Sequence, residues 1–460
     1  MSNAAPSQAT PATRLSAGTI ARYSIGSIGT GGFATLPGLV LAYYLTDNLG
    51  VAAATAGLII TLAKLWDVVI DPLIGALSDR QRIRYGTRIG FMKLGAIALP
   101  TLFALTFAVT PSWGTVVGTI WVLIAFTGAA TAFSLFQVPY LALPAELTTS
   151  YDERTRLLTW RVMVLTIAIL LFGAGGPMLR KMTGDPVTGY LLMGVVAGIA
   201  IGLGMWVASR TAPKQAPLAN VALPRLNLWN HYAEGVRGLR RSQPFRVLLL
   251  TFFLQALATG LMLAGAQYVA TWVMKSEDAV TFLFVALIAP ALLAAPIWRL
   301  IAQRTEKQAA FRIATLVFIV AVIAISVALW LPGDWMYIPV GVAGIAYAGM
   351  QSLPMAMLPD VISHDERESG TNGAGALSGI WTAGETIGFA LSATVLTTVL
   401  AITQYVPSVA GEVVTQPATA IAGIVISFSL VPAGLAALSL LSLARYRLTR
   451  ADIDQVAAVE

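Results

Sequence analysis

The residues with the clearest capacity for chemistry lie in the stretch AKLWDVVIDPLIGALSDR, where Lys64, Asp67 and Asp71 are spaced i, i+3 and i+7. On a helix that spacing puts all three on one face. The surrounding residues are apolar over a length that suits a bilayer, and a charge held there costs on the order of several kcal/mol unless it pairs or faces water. Two acids and one base leave one uncompensated negative charge, which a proton or a sodium ion can neutralise. The chemistry in view is therefore ion coupling, set against the plainer alternative of a structural ion pair. A third acid, Glu385 in GIWTAGETIG, lies midway along another apolar run. It suits a proton carrier or the partner of a cationic solute, unless it pairs with Arg161 or Lys64 across a cavity. The chain has no cysteine, and no nucleotide-binding loop, metal-ligand cluster or catalytic-triad spacing is visible. The expectation is a protein that is not an enzyme and holds no cofactor, with a sodium ion at Asp67 and Asp71 as the only metal to consider.

The elements that carry these acids are membrane helices. Of 460 residues, 57% are hydrophobic and 11% charged, against about 25% charged in soluble domains. Runs of about 20 apolar residues, the length of one crossing, recur about twelve times between Tyr23 and Ala444. The longest polar stretch, 210–243, falls between the sixth and seventh runs. The plan is thus a tail at 1–18 read as disordered, a six-helix bundle at 19–209, a linker at 210–243, a second bundle at 244–445 and a tail at 446–460. In the linker, Leu226 to Arg241 reads as an amphipathic helix lying on the leaflet. Apart from Lys64, Arg180, Lys181 and Lys275, the Lys and Arg residues gather in the tails and alternate loops, as the positive-inside rule requires. Both termini are then cytoplasmic, in a bacterial inner membrane, and the net charge of +7 records topology rather than affinity for nucleic acid. Trp113, Trp272, Trp330 and Trp335 fall at outer span ends, where indole rings anchor to the headgroup region. The partners expected are a small solute and membrane lipids, with the chain acting as a monomer.

Directly after the acidic span come Gly75, Asp79, Arg80, Arg82, Arg84 and Arg88 in GALSDRQRIRYGTR. This resembles the G-x-x-x-D-R loop of the major facilitator superfamily, which braces the helix ends on the cytoplasmic side, so Gly75, Asp79 and Arg80 are assigned to gating. The corresponding loop of the second half, WRLIAQRTEKQAAFR, stays basic but lacks the Gly and Asp. Charged groups close the fourth span (Glu146, Asp152, Glu153, Arg154, Arg156) and the tenth (Asp360, Asp365, Glu366, Arg367), and Arg154 and Asp360 are taken as gate bridges.

A narrower resemblance runs along essentially the whole chain. YYLTDNLG, KLWDVVIDPLIG, FQVPYLALPAELTTSYDERTRL, MLPDVISHDE and GIWTAGETIG are similar to the glycoside-pentoside-hexuronide cation symporters. The resemblance implies an all-α membrane protein of the major facilitator fold, with two pseudo-symmetric six-helix halves, a solute held at the midplane and alternating access by rocking. It implies that Asp67 and Asp71 bind the coupling cation, with Lys64 tuning them and Ser134 standing at the position of a hydroxyl ligand. The family's Asn before the second acid is Ile70 here, so one oxygen is lost and a proton is favoured over sodium. Two sugar-gripping acids of the family align with Gly31 and Gln137, and the stacking aromatics with Leu141 and Gln351. Arg161 matches a substrate-binding arginine, and Thr386 replaces a lysine beside Glu385. The solute cavity is therefore assigned to Gln137, Arg161, Gln351, Glu385 and Thr386. The function expected is cation-coupled symport of a small organic solute, a sugar or glycoside by resemblance. The alternatives are a lysolipid or other amphiphile as cargo, since the lost acids leave a more apolar cavity, and a receptor or assembly protein without transport.

Overall fold

The computed structural model describes residues 14–148, 150–214, 216, 228–369 and 374–448; residues 1–13 and 449–460 of the tails, and Pro217 and Pro224 of the linker, lie outside them. The first crossing is made by α1 (Ala17–Ile25) and α2 (Ser27–Asp47). It is followed by α3 (Ala53–Tyr85), α4 (Ile89–Thr106), α5 (Thr115–Leu147), α6 (Tyr151–Lys181) and α7 (Pro186–Ser209). The linker helix is α8 (Leu228–Arg241). The second half comprises α9 (Gln243–Tyr268), α10 (Ala279–Arg304), α11 (Lys307–Ile325), α12 (Tyr337–Ser369), α13 (Ala374–Ile402) and a last crossing split into α14 (Ala418–Phe428) and α15 (Leu430–Leu443).

Among the described residues, 11 crossings are long and apolar enough to span a membrane. The remaining one, α12, has 33 residues, or about 50 Å of helix. Gln351, Pro354 and Pro359 make it less apolar, and it packs between α10 and α11. Large apolar side chains such as Ile97, Ile124, Leu293 and Val320 are exposed on the bundle's outside, a pattern that water would not tolerate and lipid does. Local signals set the helix ends. Ser16, Ser150, Asp185 and Ser242 accept hydrogen bonds from first-turn amides of α1, α6, α7 and α9, satisfying donors that a helix leaves open. Gly86, at φ +71, ends α3 in the left-handed conformation that glycine adopts without strain, and the chain turns into α4.

The packing repeats between halves: α4 lies on α5 as α11 lies on α12. Between the halves, α3 meets α13, α6 meets α10 and α2 meets α9. Two of these meetings need glycine. A Cβ at Gly57 would collide with Thr397, and one at Gly173 with the ring of Phe284. The end of the bundle where α2 stops and α3 starts is clasped across the halves. Arg180 pairs with Glu277 at 3.3 Å and Lys181 with Asp278 at 2.6 Å. The Tyr405 hydroxyl donates to Asp47 at 2.5 Å, and Trp272 donates to Tyr405 at 2.7 Å. The Trp272 indole is thus engaged in the clasp rather than free at the surface. Backbone amides of Ser408 and Ala410 add bonds to Thr46 and Asn48 carbonyls. These contacts join the two halves at the end opposite the basic loops.

At the basic face, α8 follows the amphipathic reading but docks on protein. Arg241 pairs with the buried Asp365 of α12, Leu239 packs on the core, and Gly238 lies against Leu377 of α13. The linker helix is attached to the second half.

Candidate functional site

The acidic face of α3 is assembled as its spacing requires. Lys64 Nζ lies 3.6 Å from Asp67, and the Asp67 side chain is 12% exposed. The ammonium also sits over the rings of Phe33 on α2 and Phe126 on α5, at 5.3 and 5.8 Å from their centroids. Cation-π contact and one carboxylate thus hold Lys64, in an aromatic cage that the sequence does not announce because its members come from three helices. Ser134 on α5 lies beside Asp71. One oxygen of Asp67 and one of Asp71 are buried with no hydrogen-bond partner. Buried acceptors are normally satisfied, so the two open carboxylate oxygens leave capacity for a proton or a small hard cation.

The proposed solute residues fall into two polar groups, one per half. In the first, Thr30 donates to Gln137 at 2.8 Å, which ties α2 to α5 one residue before Gly31. Arg161 lies 5.5 Å from the centroid of the Tyr140 ring, which stacks on Tyr23 at 4.6 Å, and its buried Nε has no partner. In the second half, Gln351 donates to the Tyr347 hydroxyl at 2.9 Å. Glu385 and Thr386 are half-buried on α13. Among the described residues Glu385 makes no ion pair: Lys64 is committed to Asp67, and Arg161 to the tyrosine pair. Thr30, Tyr140 and Tyr347 join the candidate residues. Only Tyr140, in the quoted FQVPYLAL stretch, carried a sequence signal.

Of the residues assigned to gating, Asp79 and Asp360 form ion pairs within their own halves. Arg88, almost buried at 9% exposure, contacts Asp79 at 2.5 Å, Glu146 at 2.6 Å and Ser78 at 2.9 Å. Arg82 reaches Glu146 at 3.0 Å. Asp79 is thus part of a brace joining the ends of α3 and α5 through the α3–α4 turn. Arg80, beside it, is also engaged. At Gly75 a Cβ would make ordinary contact with Val138 at 3.6 Å, so packing in this state does not demand glycine. Arg154 donates to the Thr148 carbonyl at 3.2 Å, while Arg156 and Arg14 flank Glu153. Asp360 pairs with Lys307 of α11 at 2.5 Å.

A bundle of two six-helix halves with acids buried in one crossing, and a clasp at one end, defines a multi-pass transporter of the major facilitator superfamily. The model of the family described as MFS/sugar transport protein matches residues 22–450, and the chain belongs to that family. Its work is transport rather than catalysis. The glucuronide carrier protein homolog of Escherichia coli K12 is 24% identical over 454 residues, covering 96% of this chain and 95% of that protein. The isoprimeverose transporter of Lactiplantibacillus pentosus is 22% identical, with 91% and 86% covered. A 30% identical match to the uncharacterized symporter sll1374 of Synechocystis is confined to 236 residues, 48% of this chain and 42% of that protein. Among solved structures, the D-xylose-proton symporter superposes with a TM-score of 0.69 at 13% identity over 94% of this chain and 98% of the other; at that identity the match shows the fold.

Proposed function

We propose that the protein cotransports a sugar or glycoside with a proton, using Asp67 and Asp71 as the coupling site. The observation that carries the coupling is the pair of open, buried carboxylate oxygens on α3, with one acid balanced by Lys64 and the other left to an ion from outside the chain. Ile70 adds no oxygen beside them, and the loss of a ligand weighs against sodium, which needs several oxygens. The sugar reading draws on the family and on the polar groups of both halves. Arg161 offers a cation with an open Nε, apt for an acidic sugar, and the amides of Gln137 and Gln351 suit hydroxyls.

In this reading the halves 19–209 and 244–445 rock about the midplane, joined by 210–243. The basic loops and both termini face the cytoplasm of a bacterial inner membrane, and the protein works as a monomer. The clasped end is then the outer gate, and the structure is an inward-facing state of the cycle. Asp79 with Arg88 and Glu146, and Asp360 with Lys307, hold the cytoplasmic ends of each half while it moves.

The test is a thermal-shift screen of neutral sugars, glycosides, hexuronides, lysolipids and amines across pH 5 to 9, with and without sodium. A binder raises the melting point because it stabilises the native state by RT ln(1 + [L]/Kd). The expected result is a sugar or hexuronide whose effect depends on pH and not on sodium. Stabilisation by lysolipids alone would overturn the cargo, and a strict sodium requirement would overturn the ion.

A further inference from the structure

The brace of the first half has a counterpart position in the second, and the two are filled differently. Between the basic-face ends of α3, α4 and α5, Arg88 occupies the gap with its guanidinium on Asp79, Glu146 and Ser78. The equivalent helices α10, α11 and α12 have no such arginine in their turn. They leave instead a cavity of about 720 Å³, which Tyr446 and Leu448 also line.

The lining divides by polarity. Arg299, Gln303 and Lys307 stand with Ser352 and Asp360 around it, while Ala295, Leu353, Met357 and Leu448 supply apolar wall. Lys307 is spent on Asp360, at 2.5 Å. Arg299 forms no ion pair among the described residues, and Glu306 is exposed at the rim. What remains is one guanidinium facing a half-apolar hollow. A guanidinium presents a planar fork of donors that matches phosphate oxygens. The hollow lies where the Arg299 to Arg312 cluster marks the headgroup level, and basic pockets between membrane helices at that level take phospholipid headgroups.

We propose that this cavity binds a phosphate-bearing headgroup, with Arg299 on the phosphate and the apolar wall against the glycerol and first acyl carbons. The site lies apart from the α3 acids, and it stands whether or not the transported solute is a sugar. A bound headgroup occupies the hollow between α10 and α12 beside the Lys307–Asp360 pair.

Native mass spectrometry and thermal shift on the purified full chain decide the matter, with phosphatidylglycerol in mixed micelles and inorganic phosphate as separate probes. Arg299→Gln removes the fork from an exposed position, and Ala356→Phe fills the cavity without touching charge. The expected result is phosphatidylglycerol binding to the natural protein about tenfold tighter than to either variant, through loss of one charge-assisted contact in Arg299→Gln and of space in Ala356→Phe, with phosphate alone having no effect. Binding of inorganic phosphate with the same dependence on both positions would uphold the phosphate site and assign it to a soluble anion. Equal phosphatidylglycerol binding by the natural protein and both variants, with no phosphate effect, would overturn the proposal.

Discussion

The two halves share a packing plan and divide the chemistry unequally. In the first, α3 carries Lys64, Asp67 and Asp71 through its middle and ends in a brace around a nearly buried arginine. In the second, α10 has no charged residue before Arg299, and at the basic face an exposed lysine of α11 pairs with Asp360 of α12 beside a cavity. The difference teaches that pseudo-symmetry preserves which helices touch, while charge placement is free to diverge. The buried acids and a buried brace are concentrated in one half, and the other carries Glu385 on α13 and the Gln351–Tyr347 pair on α12.

Substitutions can break that contrast. The largest effect is expected at the α3 acids: Asp67→Asn or Asp71→Asn should lower solute accumulation under an imposed proton gradient by about hundredfold or more, with expression and solute exchange retained. Accumulation at the natural level in both variants would make the acids structural. Next is the brace. Arg88→Gln leaves Glu146, 6% exposed, without its closest partner, and breaking a buried pair costs about 3 kcal/mol; the melting temperature in detergent should fall accordingly. The clasp comes third. Gly57→Leu forces α3 away from Thr397 on α13, favouring the state open at that end. Because the chain has no cysteine, a single Asn48→Cys, buried at the clasp, reports this through its rate of labelling by an impermeant maleimide. A shift of about 1.4 kcal/mol would raise that rate about tenfold; no change would mean the contact does not hold the gate. The smallest effect belongs to Lys307→Gln, a pair 43% exposed at the lysine, which should cost under about 1 kcal/mol. A loss equal to that of Arg88→Gln would erase the contrast between the halves.

What the sequence showed and what it hid follow from the range of the interactions. The crossings are written in local apolar runs, and the Lys64, Asp67, Asp71 face in a spacing of three and four. Glycine at 86 and the capping serines mark ends within a few residues. The brace was only half visible. Asp79 carried a motif, but its arginine partner lies nine residues on in a different turn, and Glu146 comes from another helix. The Lys64 cage, the Thr30 to Gln137 bond and the Tyr405 to Asp47 clasp join residues far apart in the chain, where no periodicity operates. Glu385 was found from its place in an apolar run, whereas the Tyr347 partner of Gln351 became evident only in three dimensions. The amphipathic pattern of α8 was legible, whereas its docking on Asp365 and Leu377 depends on a surface built by other helices.

The central claim is that the open carboxylates of α3 carry the coupling ion. The most direct measurement records external pH while the sugar found by the stability screen is added to proteoliposomes with no imposed gradient and no sodium. The account predicts alkalinisation that follows sugar entry in the natural protein and is absent from Asp71→Asn. Sugar entry with no proton movement, or alkalinisation at the natural level in both Asp67→Asn and Asp71→Asn, would contradict it.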